Sequence, residues 1–334
     1  MSPRDDGDRE RPGRRPLALV GHRDLLDNST TAGFFAALAD EFDLRLTFVE
    51  DGWPERIADV AGHADADTIL WFVRFRLLRE RPPFDWSGFD GRRVMYDFDT
   101  NANYHFLSVA EYRGEWPVVY RRQGFDTLVS TGKAVTELLV ADGINAVWLP
   151  KAYDPARNYP LGQPRSGLCE FGQSYPSRKA MRAHLERAGV PFTRFSDHAG
   201  LNQQLNRYLG CLICNLAGQV RSGPGRAVNR LLPTRAITLS PGIEPMIKNF
   251  EVAAAGCAPI ADWIPELADL GFVDGENMVA YRTLDELVER CRHYLGDPEA
   301  LAAIGERAAA VASSRHTWAH RAAELGPLLD RSAP

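Results

Sequence analysis

Short apolar runs alternate with amphipathic segments along the first half of the chain. A run at 16–21 (PLALVG) ends in glycine, and residues 31–41 then place apolar side chains at helical spacing. The further strand-like runs lie at 44–50, 67–75, 92–99, 125–131 and 146–150. Because strands that alternate with helices favour right-handed crossovers, this pattern predicts a mostly parallel sheet in a Rossmann-like α/β domain.

The alternation stops at residues 151–167, which are rich in proline, glycine and charge, and then begins again. This segment is typical of an interdomain linker. The second series predicts strands at 168–172, PFTRFSD, CLICNLA, 237–241 and 257–262, with a helix at 246–256 and helices from about residue 283 onwards. The predicted α/β fold therefore has two Rossmann-like domains, at 16–155 and 160–315. Ligands are expected in the cleft between them, at the carboxyl ends of the strands.

Composition excludes several classes of protein. No apolar run approaches the ~18 uncharged residues of a membrane span. The net charge of -5 argues against a general nucleic-acid binder. Residues 1–15 are charged and rich in proline, which predicts a disordered arm without a secretory signal. Five cysteines without paired spacing favour a reducing, cytoplasmic compartment, and Cys211 and Cys214 are interpreted as core residues.

Two motifs in the second half resemble a known family. The stretch MIKNFEVAAAGCAPIAD and the later HTWAHRAAEL resemble the C-terminal half of GT-B glycosyltransferases of the spore-maturation-protein type, close to the glycosyl transferases group 1 family. EFGQSYPSRKAMRAHL resembles the first strand and turn of that domain. The resemblance implies a GT-B fold, with a nucleotide-sugar-binding C-terminal domain and a final helix, about 317–334, that crosses back to the N-terminal domain.

The resemblance also implies donor-binding residues. Glu251 would accept hydrogen bonds from the ribose hydroxyls, and Lys248 and Arg178 would face the diphosphate near the turn at Gly172, with Asn249 beside them. From the residues alone, Glu251 is equally explained as a first-turn acid that complements the helix dipole, and Lys248 as a solvated lysine. A cation at the diphosphate would stabilise the departing nucleotide without a metal.

Glu244 is a candidate catalytic residue near the donor sugar. It lies seven positions before Glu251, whereas the related family spaces its two glutamates by eight. The loop that carries it could instead present backbone N–H groups to an anion. The arginines of the Arg221–Arg230 loop have two interpretations. Either they bind an acidic acceptor, or they lie in a solvated loop.

The acceptor side is expected in the N-terminal domain, on loops that follow strands. His105 could act as a base or orient a hydroxyl, and Asp99 is placed beside it as a second catalytic candidate. An alternative for His105 is a histidine bonded within its loop, and Asn28 is also a plausible helix cap. The acceptor-binding candidates are His22, Asp24, Asn28, Asp97 and Asn101.

A short acidic motif offers a competing interpretation. Asp97-Phe98-Asp99 follows an apolar strand, and such pairs hold Mn²⁺ or Mg²⁺ in the other main glycosyltransferase fold. Since three-residue patterns of this kind are common in a chain with 44 acids, no metal is expected.

The sequence thus predicts a metal-independent glycosyltransferase of the EC 2.4 type that moves a sugar from a nucleoside-diphosphate sugar to a small-molecule acceptor, as in secondary metabolism. UDP is the first expectation for the nucleotide, which serves as co-substrate, and no cofactor is expected. The alternatives are a nucleotide-sugar epimerase of the same fold and a non-catalytic binding module. The sequence leaves the oligomeric state and the stereochemical outcome open.

Overall fold

The computed structural model describes residues 14–24, 28, 30–54, 56–64, 66–104, 112, 114–172, 176–195, 200–215 and 244–330. Two separate parallel sheets are formed within these residues. The predicted strand at 237–241 lies outside them.

The first sheet has six strands in the order β2-β1-β3-β4-β5-β6, all parallel. They are β1 Arg15–Gly21, β2 Phe42–Phe48, β3 Thr68–Phe72, β4 Arg92–Asp97, β5 Thr127–Ser130 and β6 Ala146–Trp148. The helices are α1 Ala32–Glu41, α2 Ile57–Ala64, α3 Phe75–Glu80, α4 Thr100–Tyr104, α5 Trp116–Gln123 and α6 Lys133–Ala141, and a 3-10 turn spans Val49–Asp51. The order of the strands reverses between β1 and β3, which makes that point the crevice of this sheet.

The second sheet has five strands in the order β11-β10-β9-β7-β8. They are β7 Leu168–Phe171, β8 Thr193–Phe195, β9 Gly210–Ile213, β10 Ala258–Asp262 and β11 Val279–Tyr281. The helices are α7 Pro176–Arg187, α8 Leu201–Leu205, α9 Ile247–Ala254, α10 Pro265–Asp269, α11 Leu284–Gly296, α12 Pro298–Arg315 and α13 Trp318–Leu325, followed by a 3-10 turn at Gly326–Leu329. Its crevice lies between β7 and β9, where the order of the strands reverses.

Several predicted boundaries are wrong by a few residues. The first strand begins at Arg15, inside the expected arm, because Arg15 pairs with Phe42 in the parallel ladder. The apolar run at 67–75 is a strand only to Phe72. Phe75 already begins α3 and packs its ring 4.6 Å from that of Trp116, so this single run supplies both a strand and a helix to one core.

The last helix packs against the first domain. Trp318 is buried, and its ring centroid lies 5.3 Å from that of Phe34 in α1. Thr317 caps this helix, and the ring of His320 completes a capping box. Tyr153 of the linker forms a parallel bridge with Thr317, the residue just before this helix. The bridge holds the linker against the segment that leads into the last helix.

The five cysteines are all buried, and Cys211 and Cys214 belong to the core of the second domain as expected. Within the described residues, no helix has the length and apolar character that crossing a bilayer requires.

Candidate active site

A cavity of about 360 Å³ lies between the linker and the second domain. One wall is formed by the end of β7 at Phe171 and by α9, and the other by linker residues 156–159 and the start of α8 at 200–203. Thr30, from the loop before α1, is the contribution of the first domain. The site therefore combines the carboxyl end of β7, next to the crevice of the second sheet, with a loop of the first domain.

Two buried cations meet at the carboxyl end of β7. Lys248 Nζ donates a hydrogen bond to the carbonyl of Phe171 and lies 3.8 Å from the centroid of its ring. Arg178 Nη1 donates to the same carbonyl at 3.3 Å. Burial and the neighbouring charge of Arg178 lower the pKa of Lys248 to about 8. Among the described residues no carboxylate lies within ion-pair distance of Lys248, so the site is suited to an anion.

Gly172 leaves room for these two cations. Its φ is +93°, a conformation that glycine adopts readily. A Cβ at this position would lie 2.9 Å from Lys248 Nζ and 3.1 Å from Arg178 Nη1. Any larger residue would therefore push the cations away from the strand end. The turn predicted to approach the diphosphate is the turn at which both positive charges converge.

Glu251 lines the same cavity, one helical turn after Lys248. It is the fifth residue of α9 and not a first-turn acid, so the helix-dipole interpretation of the sequence is wrong. Residues three apart share one face of a helix, which is why both side chains reach the cavity. Burial raises the pKa of Glu251 to about 7, against the opposing effect of the Lys248 charge.

With Glu251 and Lys248 as the donor-binding residues that the resemblance implies, the two shifted pKa values predict a pH-dependent affinity for nucleotide. Ionised Glu251 accepts hydroxyl hydrogen bonds best, so affinity should rise as the pH passes through about 7, and it should fall again above about 8 as Lys248 loses its proton. Calorimetric titration with UDP-glucose from pH 6 to pH 9 measures this. Glu251→Gln should remove the rising limb and weaken binding by about 1.5–3 kcal/mol. A flat profile in the unsubstituted protein would contradict the prediction.

Asn249 does not face the cavity, contrary to its prediction as a donor-binding residue. Its Nδ2 donates to Asn215 Oδ1 at 2.7 Å and to the carbonyl of Met246 at 2.9 Å. Asn215 also accepts from the backbone N–H of Met246 and donates to the carbonyl of Asp262. Because these amides join β9, β10 and the start of α9, Asn249 positions the helix that carries Lys248.

Glu244 is held by the first domain. Its Oε1 lies 2.8 Å from Lys151 Nζ, and its Oε2 accepts from the Thr131 hydroxyl at 2.7 Å. Both side chains of the ion pair are buried. Lys151 also lies 3.6 Å from Asp99, which is exposed. The structure thus places the catalytic candidates Glu244 and Asp99 on either side of Lys151, which was not predicted from the sequence. Glu244 bonds to residues of the first domain and so joins the two domains.

A second buried glutamate joins the domains nearby. Glu266, in the first turn of α10, accepts from the backbone N–H of Lys133 at 2.9 Å and from Trp148 Nε1 at 3.0 Å. It therefore accepts a hydrogen bond from a backbone N–H at the N-terminus of α6, which belongs to the first domain. Burial raises its pKa to about 8, and the charge of Glu244 adds to that shift.

Asp97, predicted as an acceptor-binding residue, lies in the core of the turn after β4. It is buried, and its carboxylate accepts from Asn103 Nδ2, from Trp116 Nε1 at 2.8 Å and from the backbone N–H of Asp99. Burial raises its pKa to about 7, although the hydrogen bonds from Asn103 oppose the shift. Asp97 therefore organises the turn after β4, and Asp97 and Asp99 do not form an open pair for a metal.

His22 and Asp24, two of the predicted acceptor residues, do lie together. They follow β1, and with Glu50 they form a group whose polar atoms lie within 4.8 Å of one another. His22 Nδ1 is 2.9 Å from Glu50 Oε1, while Asp24 pairs with Arg74. Nothing in the sequence marks Glu50 as a site residue except its position at the end of the predicted strand at 44–50.

Asn28 shapes the loop before α1. Its side-chain oxygen accepts from Thr30 N–H, and its backbone carbonyl accepts from Thr31 and Ala32, so Asn28 forms a turn before the helix, whose N-cap residue is Thr31. His105 and the Arg221–Arg230 loop lie outside the described residues, and of Asn101 only the backbone is described, within α4.

Comparison with known proteins agrees with this geometry. Residues 216–326 match the family model described as glycosyl transferase-like. Sucrose-phosphate synthase from Thermosynechococcus elongatus is 12% identical, with 94% of this chain and 98% of that chain covered at a TM-score of 0.56. HepE from Anabaena in complex with UDP and glucose is 13% identical, with 94% and 99% covered at 0.55. The chain therefore has the GT-B fold of these proteins.

The fold that the resemblance implies is therefore confirmed. A glycosyltransferase from Rickettsia africae is similar as well, at 11% identity, with 94% of this chain and 98% of that chain covered and a TM-score of 0.51. No curated protein sequence matches the chain significantly. The family match falls on the part of the chain that carries Lys248 and Glu251.

Proposed function

We propose that this protein is a glycosyltransferase that takes a sugar from a nucleoside-diphosphate sugar and transfers it to a small-molecule acceptor. The observation that carries the proposal is the pair of buried cations, Lys248 and Arg178, at Gly172 beside the cavity that Glu251 lines. Two like charges held this close repel each other, and a bound diphosphate would neutralise both.

The same residues give each part of the donor a partner. The diphosphate lies between Lys248 and Arg178, where positive charge stabilises the nucleotide as it leaves. One turn along α9, Glu251 accepts hydrogen bonds from the ribose hydroxyls. The HepE structure, which is named as a complex with UDP and glucose, supports UDP as the first nucleotide to test.

The acceptor is proposed to enter from the first domain. The loop after β1 brings His22 and Asp24 to the crevice of that sheet, and Thr30 of the same loop reaches the cavity. Glu50 holds the His22 ring through Nδ1, the arrangement that orients an imidazole towards a hydroxyl. His105 and Asp99 remain proposals for the same role. The low number of cysteines, without paired spacing in the sequence, supports a cytoplasmic location.

The experiment measures consumption of UDP-sugars with and without small hydroxylated acceptors, in the presence of EDTA. We expect acceptor-dependent transfer that survives chelation, because Lys248 and Arg178 supply the positive field and Asp97 is fully engaged in its turn. Loss of activity that Mn²⁺ restores would contradict the metal-independent proposal. Conversion of the sugar without any acceptor would instead identify an epimerase.

A further inference from the structure

We propose that Asn158, Tyr159 and Asn202 form the subsite for the nucleobase of the donor and select a base that carries ring carbonyl groups, such as uracil. This inference rests on the proposed function and assigns the part of the cavity that the diphosphate and ribose contacts leave unused. It makes the interdomain linker a part of the donor site.

The direction of the donor follows from α9. Lys248 and Glu251 lie one turn apart on the same face, which corresponds to about 4.5 Å along the helix axis. With the diphosphate at Lys248 and the ribose at Glu251, the base takes the remaining space of the cavity. That space is bounded by linker residues 156–159 and by the start of α8 at 200–203.

The amide of Asn202 has a fixed orientation. Its Oδ1 accepts from the backbone N–H of Tyr159 and from Asn206 Nδ2, each at 3.1 Å. Its Nδ2 is consequently the other end of the amide, and among the residues that the structure describes it has no hydrogen-bond partner. The side chain is only 6% exposed, so this donor is not simply solvated.

Asn158, on the linker, is a second buried amide whose donor is not used by the described residues. It is also 6% exposed and lines the cavity, and its Nδ2 likewise has no partner. The next residue, Tyr159, lines the same cavity with a side chain that is 45% exposed. An exposed aromatic ring beside two unsatisfied amide donors suits a flat heterocycle that carries acceptor oxygens.

Two N–H donors distinguish between bases. Uracil offers carbonyl oxygens at both C2 and C4, whereas cytosine replaces the C4 oxygen with an amino group, which is itself a donor. A donor that faces a donor stays unpaired in a buried site, and sites built on hydrogen bonds reject such analogues strongly. UDP and CDP differ only in the base, so they form a matched pair of probes.

The experiment titrates the full chain with UDP and with CDP by calorimetry. UDP should bind at least about 10-fold more tightly than CDP. Asn202→Asp keeps an oxygen for Tyr159 and Asn206 but turns the free donor into an acceptor, so the UDP-to-CDP ratio should fall by about 10-fold or more. Asn158→Asp tests the same exchange on the linker, independently of the contacts of α8.

Tyr159→Ala should weaken both nucleotides by about 5- to 150-fold without changing their ratio. Leu161→Ala, an exposed apolar linker residue outside the cavity wall, is the matched control and should change neither affinity. Equal binding of UDP and CDP, or a ratio that neither Asp variant alters, would overturn the base subsite and leave the proposed function standing. Failure of the folded chain to bind any nucleoside diphosphate would overturn both.

Discussion

Lys151→Met is expected to destabilise the protein severely. The substitution removes the ammonium group that lies 2.8 Å from the carboxylate of Glu244, which stays buried between the domains. Removing one member of a buried ion pair costs about 3–5 kcal/mol, since the buried charge loses the opposite charge that compensated it. Urea denaturation should therefore show a large fall in the free energy of unfolding.

The chain provides a matched control for this prediction. Lys133 and Asp269 also join the two domains at 2.8 Å, but each side chain is 40% exposed, against 9% and 3% for Lys151 and Glu244. Lys133→Met should therefore change the stability little, because water solvates the carboxylate that remains. Equal losses in the two variants would show that burial does not set the strength of the Lys151 pair.

The double variant Lys151→Met with Glu244→Gln gives the complementary test. With the carboxylate replaced by an amide, no unpaired charge stays in the interface, and most of the lost stability should return. The same comparison separates two roles of Glu244. If its only task is to join the domains, the double variant should regain transfer along with stability.

The alternating pattern of the sequence was sufficient to predict two parallel sheets, because buried strands of such sheets are nearly continuous apolar runs. Short edge elements were harder to predict. Val279–Tyr281 forms a three-residue strand with too few residues for a recognisable pattern. The run that ends at Phe75 was read as one strand because apolarity alone does not distinguish a strand from the buried face of a helix.

The sequence predicted site residues correctly only where they lie within the segments that resemble the GT-B family. Lys248, Arg178 and Gly172 came from the motif, and the structure brings them together. Asp97 looked available because its partners, Asn103 and Trp116, come together with it only through folding. Contacts across the domains leave no local pattern either.

The sequence does contain two features that mark Lys151 as a candidate site residue. Lysine is rare in a chain whose basic residues are mostly arginine, with four lysines among 39 Lys and Arg residues, and Lys151 directly follows a predicted strand at the cleft edge. Asn202 carried no such signal. Its assignment depends on which of its two amide atoms is already occupied, and only the folded linker determines that.

Lys248→Met should lower the rate of sugar transfer by about 10²–10³-fold, the usual cost of removing a group that stabilises developing charge on the leaving oxygen. The matched control is Lys179→Met, which removes the same charge from an exposed residue directly after Arg178. If Lys248 acted only through the overall field of the protein, the two variants would lose similar amounts of activity.

Stability should respond in the opposite direction, and this separates a binding role from a structural one. Lys248 is buried beside Arg178, whose charge contributes to lowering its pKa to about 8. Methionine fills a similar volume and removes both the repulsion and the cost of desolvating the ammonium group. Without ligand, Lys248→Met should therefore be at least as resistant to urea as the unsubstituted protein, and addition of UDP should stabilise it much less. A variant that is less stable without ligand would instead show that the hydrogen bond to the Phe171 carbonyl outweighs the repulsion, and that Lys248 is there to hold the end of β7.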